Sequence, residues 1–436
     1  MSSQSVAQAW TTSSTATAPA VDGGRLLRRI EELGRIGRDP VTGGITREGF
    51  SAADREARAY VMAEARAAGL CVAVDAAGNI IIRGSAAAAG ERPVVLMGSH
   101  LDTVVNGGRL DGAYGVIAAL EVVQAWAESG GGGGLEPVAV AFTNEEGALF
   151  PQPFFGSMVL AGRLAGLPRE PLDHQGGPLR GPLALAGGDL DALGSAAWSS
   201  DAVAAYLEVH VEQGPVLERA GSRIGVVDGI TGRDVLTVEI RGTAGHAGTT
   251  PMAGRADALA AASRVVLAAE RIAAERGLCR VATVGRLHIS PNSPNTVAEA
   301  VRLTADLRDT DAARMRNAEA ALRDALADIA RQTGTDIEVV GRVYSDPVAT
   351  SADLRALIEE TALELGVPYA VLPSGAGHDA LVVADLAPVA MIFVPSIGGV
   401  SHVPEEDTAP DDLVLGAEVL LRTALRASGL PTGPRR

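Results

Sequence analysis

The sequence predicts an α/β fold with a mainly parallel central sheet and a smaller α+β domain inserted into it. Three observations lead there. Two continuous apolar runs, Val94 to Met97 and Pro137 to Phe142, bracket a segment with helical spacing from about Ala113 to Glu128. That strand–helix–strand order is a βαβ unit. From about Gly229 the pattern changes, and Asp234 to Arg241 alternates strictly, with Leu236, Val238 and Ile240 against Val235, Thr237 and Glu239, as a half-exposed strand does. After Ser345 parallel-type patterning returns, with a helix to Leu365 and an apolar run at Ala390 to Val394.

The remaining elements fit this frame in order. Met1 to Ala20 is rich in Ser, Thr and Ala, without a basic start or an apolar core, and is expected to be a disordered tail rather than a signal peptide. Helical spacing runs from near Arg25 to Leu33 and again from Ala52 to Ala68, and Cys71 to Val74 and Asn79 to Arg83 are short strands around a turn. The glycine run 130 to 134 is a flexible link. Leu167 to Ser200 is a Gly/Pro-rich loop with short helices, and Ala205 to Val211 is a strand that carries His210. A long Ala-rich helix, Ala256 to Arg276, follows the Asp234 to Arg241 strand in the inserted part. Val281 to Gly285, Thr296 to Asp309, a helix from Ala312 to Thr333, and Ile337 to Tyr344 complete it. The expected division is a tail at 1–20, a main domain at 21–226 and 346–436, and the inserted domain at 227–345.

A chain of 436 residues is too long for one simple core, and 47% hydrophobic residues suit a well-buried globular protein. The net charge of −16 excludes nucleic acid, because no basic stripe exists to neutralise phosphates, and it disfavours an anionic membrane surface. Cys71 and Cys279 lie in separate regions, which argues against a disulfide framework and for a reducing, cytoplasmic compartment. No apolar run approaches the ~20 residues that a spanning helix needs.

The chemistry gathers in 47 residues. His100-Leu-Asp102, then Asp111-Gly-Ala-Tyr-Gly, then Asn144-Glu145-Glu146-Gly each lie beside an expected strand end or helix start. Of seven histidines, His100, His210, His246, His378 and His402 occupy Gly-, Asp- or Glu-rich sequence that reads as loop. Imidazole and carboxylate are the ligands hydrolytic metals need. His100 and Asp102, two apart at a strand end, can point the same way, so that the carboxylate holds the proton on the other ring nitrogen. Asp111 could share its two oxygens between two metals ~3.5–4 Å apart. Adjacent Glu145 and Glu146 suit different tasks, one ligand and one general base. Read alone, Asp111 is also a helix N-cap and the Glu-Glu pair a solvated loop. In this order they describe a two-metal hydrolase site.

These motifs resemble the M20 metallopeptidase superfamily, in particular its hydantoinase/carbamoylase-type amidases. The resemblance runs from about Gly44 almost to the C-terminus. It takes in Gly-Ser-His100-Leu-Asp102-Thr, Glu208-Val-His210-Val-Glu-Gln213-Gly-Pro, Gly245-His246-Ala-Gly-Thr-Thr-Pro, Ser374-Gly-Ala-Gly-His378-Asp and Pro395-Ser-Ile-Gly-Gly-Val-Ser-His402. It implies one metal held by His100, Asp111 and His210 and another by Asp111, Glu146 and His402, with Zn, Mn, Co or Ni as the two divalent ions. It further implies Glu145 as catalytic base and Asp102 as the partner of His100. Gln213, His246, Asn295, Arg308 and the backbone at Gly377 would contact substrate. The inserted domain would be a lid that also dimerises, which makes the chain a homodimer.

The chemistry of the site points the same way. Two divalent ions leave it positively charged, which suits an anionic substrate and a developing oxyanion. Arg308 lies on the polar side of its strand with Arg302, Thr304 and Asp306. Its best chemical use is a bidentate grip on a carboxylate, against a surface pairing with Asp306 or Asp309. His246, flanked by glycine, could donate to an oxyanion. His378 is read as structural or catalytic, and His174 and His288 as structural. The expected activity is therefore hydrolysis of a small ureido acid, an N-carbamoyl-L-amino acid, to amino acid, CO2 and ammonia. Allantoate amidohydrolase and β-ureidopropionase activities are the alternatives within the family, a peptidase or aminoacylase one outside this branch, and an inactive binding protein one of another class.

Overall fold

The computed structural model describes residues 18–84, 92–131, 134–165 and 167–429. All but three residues of the expected N-terminal tail, and part of the glycine run at 130–134, lie outside them. In chain order come α1 (Gly23–Leu33), α2 (Ala52–Ala67), β1 (Cys71–Val74), β2 (Ile80–Arg83), β3 (Val94–His100), α3 (Ala113–Glu128) and β4 (Pro137–Phe142). Next are α4 (Phe155–Leu160), α5 (Arg180–Leu185), β5 (Val203–Val211), α6 (Val216–Ala220) and β6 (Ile224–Ile230). Then follow β7 (Gly232–Arg241), β8 (Gly245–His246), α7 (Ala258–Ala274), β9 (Val281–Ser290), β10 (Thr296–Val297), β11 (Ala300–Asp309), α8 (Ala312–Thr333) and β12 (Asp336–Ser345). The chain closes with β13 (Val348–Ala349), α9 (Ala352–Glu364), β14 (Tyr369–Ser374), α10 (Asp379–Val383), β15 (Val389–Val394) and α11 (Pro410–Ala427).

Nine strands form the large sheet, in the order β1-β2-β4-β3-β5-β15-β6-β13, with β14 beside β6. Its middle is parallel, from β4 through β3 and β5 to β15. Both flanks turn antiparallel, β1-β2-β4 on one side and β15-β6-β13 on the other. The parallel strands are apolar on both faces, and β3, β4 and β15 are buried throughout. Side chains alternate across a strand, so Val95 and Met97 of β3 enter one core with α1, α3 and α11, while Val94 and Leu96 enter a second core with α10. Helix α3 is buried from Ala113 to Ala125, which is why its sequence is apolar nearly all round.

The second sheet has four antiparallel strands, β12-β7-β11-β9. Its Leu236, Val238, Ile240, Leu303 and Leu307 pack on Ala261, Val265, Leu322 and Leu326 of α7 and α8. The opposite face, which carries Arg233, is open. The chain leaves the large sheet after β6 and returns to it at β13.

One reading changes at a strand end. The run expected to stop at Met97 continues as strand through Gly98 and Ser99 to His100, because β4 and β5 lie on either side and β4 pairs with it as far as His100. His210 lies inside β5, the strand expected to carry it. Both histidines therefore project from strands, not loops, and a strand fixes a side chain's direction more tightly than a loop does.

Candidate metal centre

The clustered residues converge on the C-terminal ends of the parallel strands, where open α/β sheets form their sites. His100 ends β3, His210 is the penultimate residue of β5, Glu145 and Glu146 follow β4, and His402 follows β15. Asp111 precedes α3, but it is not the helix cap. Gly112 holds that position, with φ 62° and no capping side chain. A Cβ on Gly112 would lie 2.4 Å from the His100 ring, so only glycine lets the turn pass beneath that imidazole.

Asp111 sits at the centre. Its Oδ1 lies 3.1 Å from His210 Nε2 and 3.7 Å from His100 Nε2, and its Oδ2 lies 3.0 Å from His402 Nε2. Glu146 Oε1 is 3.5 Å from His402 Nε2. His100, Asp111 and His210 form one group whose ligand atoms lie within 4.8 Å of one another, and Asp111, Glu146 and His402 form another. Two overlapping groups, His100-Glu145-Glu146 and Glu208-His210-His378, meet the same condition.

The donor set fits divalent cations. His100 Nδ1 faces the Asp102 carbonyl at 2.8 Å and His210 Nδ1 the Val211 carbonyl at 2.9 Å. A carbonyl only accepts, so the neutral rings carry their protons on Nδ1 and aim Nε2 lone pairs at the cluster. His210 Nε2 accepts the Gly112 amide at 3.1 Å, but both Nε2 atoms also face the Asp111 carboxylate, and a cation between them would turn those facing acceptors into ligands. The charges respond accordingly. Burial opposes protonation of His210, but Asp111 outweighs it and raises its pKa to about 9. The Asp111 contact likewise raises His402 to about 9. Burial opposes ionisation of Asp111, yet His210 and His402 hold it well below the usual carboxylate range.

The Asp102 reading needs one correction. Its carboxylate does not hold the His100 proton, since Oδ1 is 3.8 Å from Nδ1 and the main-chain carbonyl of the same residue takes that place. Its two oxygens instead accept the amides of Glu145 and Glu146, each at 3.1 Å. Asp102 thereby fixes the turn that presents both glutamates. Glu145 is buried, its Oε2 3.7 Å from His100 Nε2. Burial, then Glu146 and Asp379, push its carboxyl well above the ordinary range. Burial and Asp111 raise Glu146 to about 8.

Gln213 reaches the centre through Nε2, which donates to Asp111 Oδ2 at 3.0 Å. Sequence reasoning missed Glu406, whose Oε1 accepts the amides of Leu110 and Asp111 at 3.0 Å each, while Ser401 donates to its Oε2. The signal was available, since Glu406 follows His402 in a Pro-Glu-Glu loop. Asn144, Phe154, Gln213 and His402 all have positive φ, between 50° and 61°, and such strain persists where surrounding structure enforces it. His378 is buried and neutral: burial lowers its pKa well below the ordinary value, its Nε2 lies 2.8 Å from Ser374 Oγ, and its ring packs edge-on against His210.

A cavity of about 200 Å3 opens over the cluster, lined on its far side by Phe154, Gly377, Arg308 and Arg233. Arg308 makes the surface pairing with Asp306 and also reaches the Gly375 carbonyl at 3.0 Å. Arg233 was not foreseen. His246 and Asn295 are brought together, with the Ala247 amide donating to the Asn295 carbonyl and His246 opposite Thr296. Both are exposed, and neither lines the cavity.

Comparison with known proteins adds the following. Peptidase family M20/M25/M40 matches residues 96–426. The chain is 41% identical over 406 residues to the N-carbamoyl-L-amino acid amidohydrolase of Geobacillus stearothermophilus, covering 92% of this chain and 98% of that protein. It is 36% identical to the allantoate amidohydrolase of Escherichia coli strain K12, over 89% and 94% of the two lengths. A solved amidase of the hydantoinase/carbamoylase family from Burkholderia multivorans superposes with a TM-score of 0.85 at 37% identity, covering 95% of this chain and 99% of that one.

Proposed function

The chain belongs to peptidase family M20/M25/M40 and is a hydrolase of amide C–N bonds, and from that premise we propose that it removes the carbamoyl group of N-carbamoyl-L-amino acids, giving amino acid, CO2 and ammonia. One observation carries the reading. Asp111 is common to two ligand groups, His100-Asp111-His210 and Asp111-Glu146-His402, and Glu145 stands beside them without being needed in either. The 41% identity to an N-carbamoyl-L-amino acid amidohydrolase supports the substrate class.

We assign one divalent ion to each group; when bound they supply Lewis-acid polarisation of the carbonyl and a lowered water pKa. Glu145 accepts a proton from the attacking water and returns it to the leaving nitrogen. Asp102 keeps Glu145 and Glu146 apart in role by holding their amides, and Gln213 steadies Asp111. Arg308 meets the substrate carboxylate. The cavity is smaller than the ~300–1,000 Å3 of drug-sized sites, which fits an amino-acid-sized molecule.

The four-stranded unit acts in this reading as a lid and dimerisation domain. His246 and Asn295 join the site when that unit closes or when a second chain presents them, and the reading takes the active species as a homodimer. Allantoate is the second substrate considered, because a relative acting on it is 36% identical. Ammonia release from N-carbamoyl amino acids and allantoate, beside free-amine release from N-acetyl amino acids, separates the readings. Preference for N-carbamoyl amino acids, abolished by chelation and restored by Mn2+, Co2+, Ni2+ or Zn2+, is expected. Turnover of allantoate alone, or full activity in metal-free protein, overturns it.

A further inference from the structure

Arg233 and Arg308 lie directly opposite each other on β7 and β11. Like charges in that relation destabilise a sheet, and only one acid in the strand pair offsets them. Asp306 Oδ2 accepts from Arg233 Nε at 2.8 Å, while Arg308 uses Nε and Nη2 on the same carboxylate at 3.2 Å. Arg308 spends a further donor on the Gly375 carbonyl. Arg233 spends only Nε, and its Nη groups make no hydrogen bond among the described residues. Two guanidiniums and one carboxylate leave a surplus positive charge on the cavity wall. Both arginines also line the adjoining open groove, where Arg286 is a third cation and Asp306 the one acid. A basic patch of this kind, in a chain of net charge −16, is placed to receive anions.

In the amidohydrolase reading Arg308 is the residue assigned to the carboxylate that every N-carbamoyl amino acid carries. Resting on the amidohydrolase reading above, we propose that Arg233 binds a second anionic group, so that the preferred substrates are ureido dicarboxylates such as N-carbamoyl-L-aspartate and N-carbamoyl-L-glutamate. Arg233 is then a specificity-determining residue, and its free Nη edge is the fork that pairs with a carboxylate.

The test compares kcat/KM for N-carbamoyl-L-glutamate and N-carbamoyl-L-alanine in the metal-loaded enzyme and in R233A and R233K. A hydrogen bond between charged groups is worth roughly 10- to 100-fold. The dicarboxylate-to-monocarboxylate ratio is therefore expected to exceed one in the wild type, to fall about 10- to 100-fold in R233A, and to recover partly in R233K. High salt should lower the wild-type ratio, since the groove is open to solvent. A ratio at or below one, or an equal loss on both substrates in R233A, overturns the proposal; equal loss would mean that Arg233 shares the common carboxylate. Calorimetric titration with L-glutamate and L-alanine keeps the two readings apart. Absence of ureido hydrolysis removes the proposed function. Tighter binding of L-glutamate that R233A abolishes still upholds Arg233 as the acid-reading residue, and equal binding refutes it.

Discussion

At the scale of single residues, the site works by giving similar groups different surroundings. Glu145 and Glu146 are neighbours in sequence, and Asp102 holds both amides. Glu146 reaches toward His402 while Glu145 is buried beside His100. Glu145→Gln is therefore expected to keep its metal content and lose ~10²–10⁴ in kcat, measured by metal analysis beside steady-state kinetics. Loss of metal instead would mean that the two glutamates exchange roles. A second expectation concerns pH. His210 and His402 are raised to about 9 and Glu146 to about 8 in the metal-free fold. Folded values above unfolded ones mean that protonation stabilises this fold, and that the contribution fades as pH rises through them. Metal competes for the same atoms. The Tm difference between metal-loaded and metal-free protein should widen from about pH 6.5 to 9. A constant difference across that window would exclude His210 and His402 as ligands. The residues of this cluster were legible in the sequence because carboxylates and imidazoles lie close together in a chain with few histidines. Arg233 was not, since a lone arginine in a strand has no local pattern and acquires meaning only from the residue opposite it.

At the scale of elements, the ligands are held by strand ends and one turn. The parallel strands were legible because burial on both faces makes them continuously apolar, and α3 and β4 were bounded correctly for the same reason. Strands β6 and β14 were not read. The first contains Gly225, Asp228 and Gly229, and the second contains Pro373, residues that weaken a strand signal. Helix α11 had a usable start signal, Pro410 followed by Asp411 and Asp412. The turn at Gly112 is the most exacting junction. Gly112→Ala puts a side chain at a positive φ outside the common wells, at ~1–3 kcal/mol, and drives its Cβ into the His100 ring. The fold, buried around α3, should survive this. The variant is expected to lose metal affinity while keeping its far-ultraviolet dichroism, and normal metal retention would show that His100 can be displaced without consequence.

At the scale of the whole molecule, the centre draws on five separated stretches of chain, all anchored in one sheet, whereas His246 and Asn295 sit on the edge of the other unit and outside the cavity. The family resemblance placed both at the substrate, His246 through its Gly-His-Ala-Gly-Thr-Thr-Pro run; a motif carries no information about which copy of the site it serves. Arg308, from the four-stranded sheet rather than the β8–β10 pair, does line its own chain's cavity. The two facts together give a test that Arg308 could not provide. If a second chain supplies His246, mixing an inactive Glu145→Gln protein with an inactive His246→Ala protein should regenerate activity, because a mixed dimer holds one site with both residues intact. At equal mixing about half of the dimers are mixed, each with one competent site, so recovery should approach one quarter of wild type. An Arg308→Ala partner in place of His246→Ala should also yield an intact site in a mixed dimer only if Arg308 acts across the interface, and its position predicts no recovery. Absence of recovery with His246→Ala, in protein shown by light scattering to exchange subunits, would mean that each chain closes its own lid over its own metals.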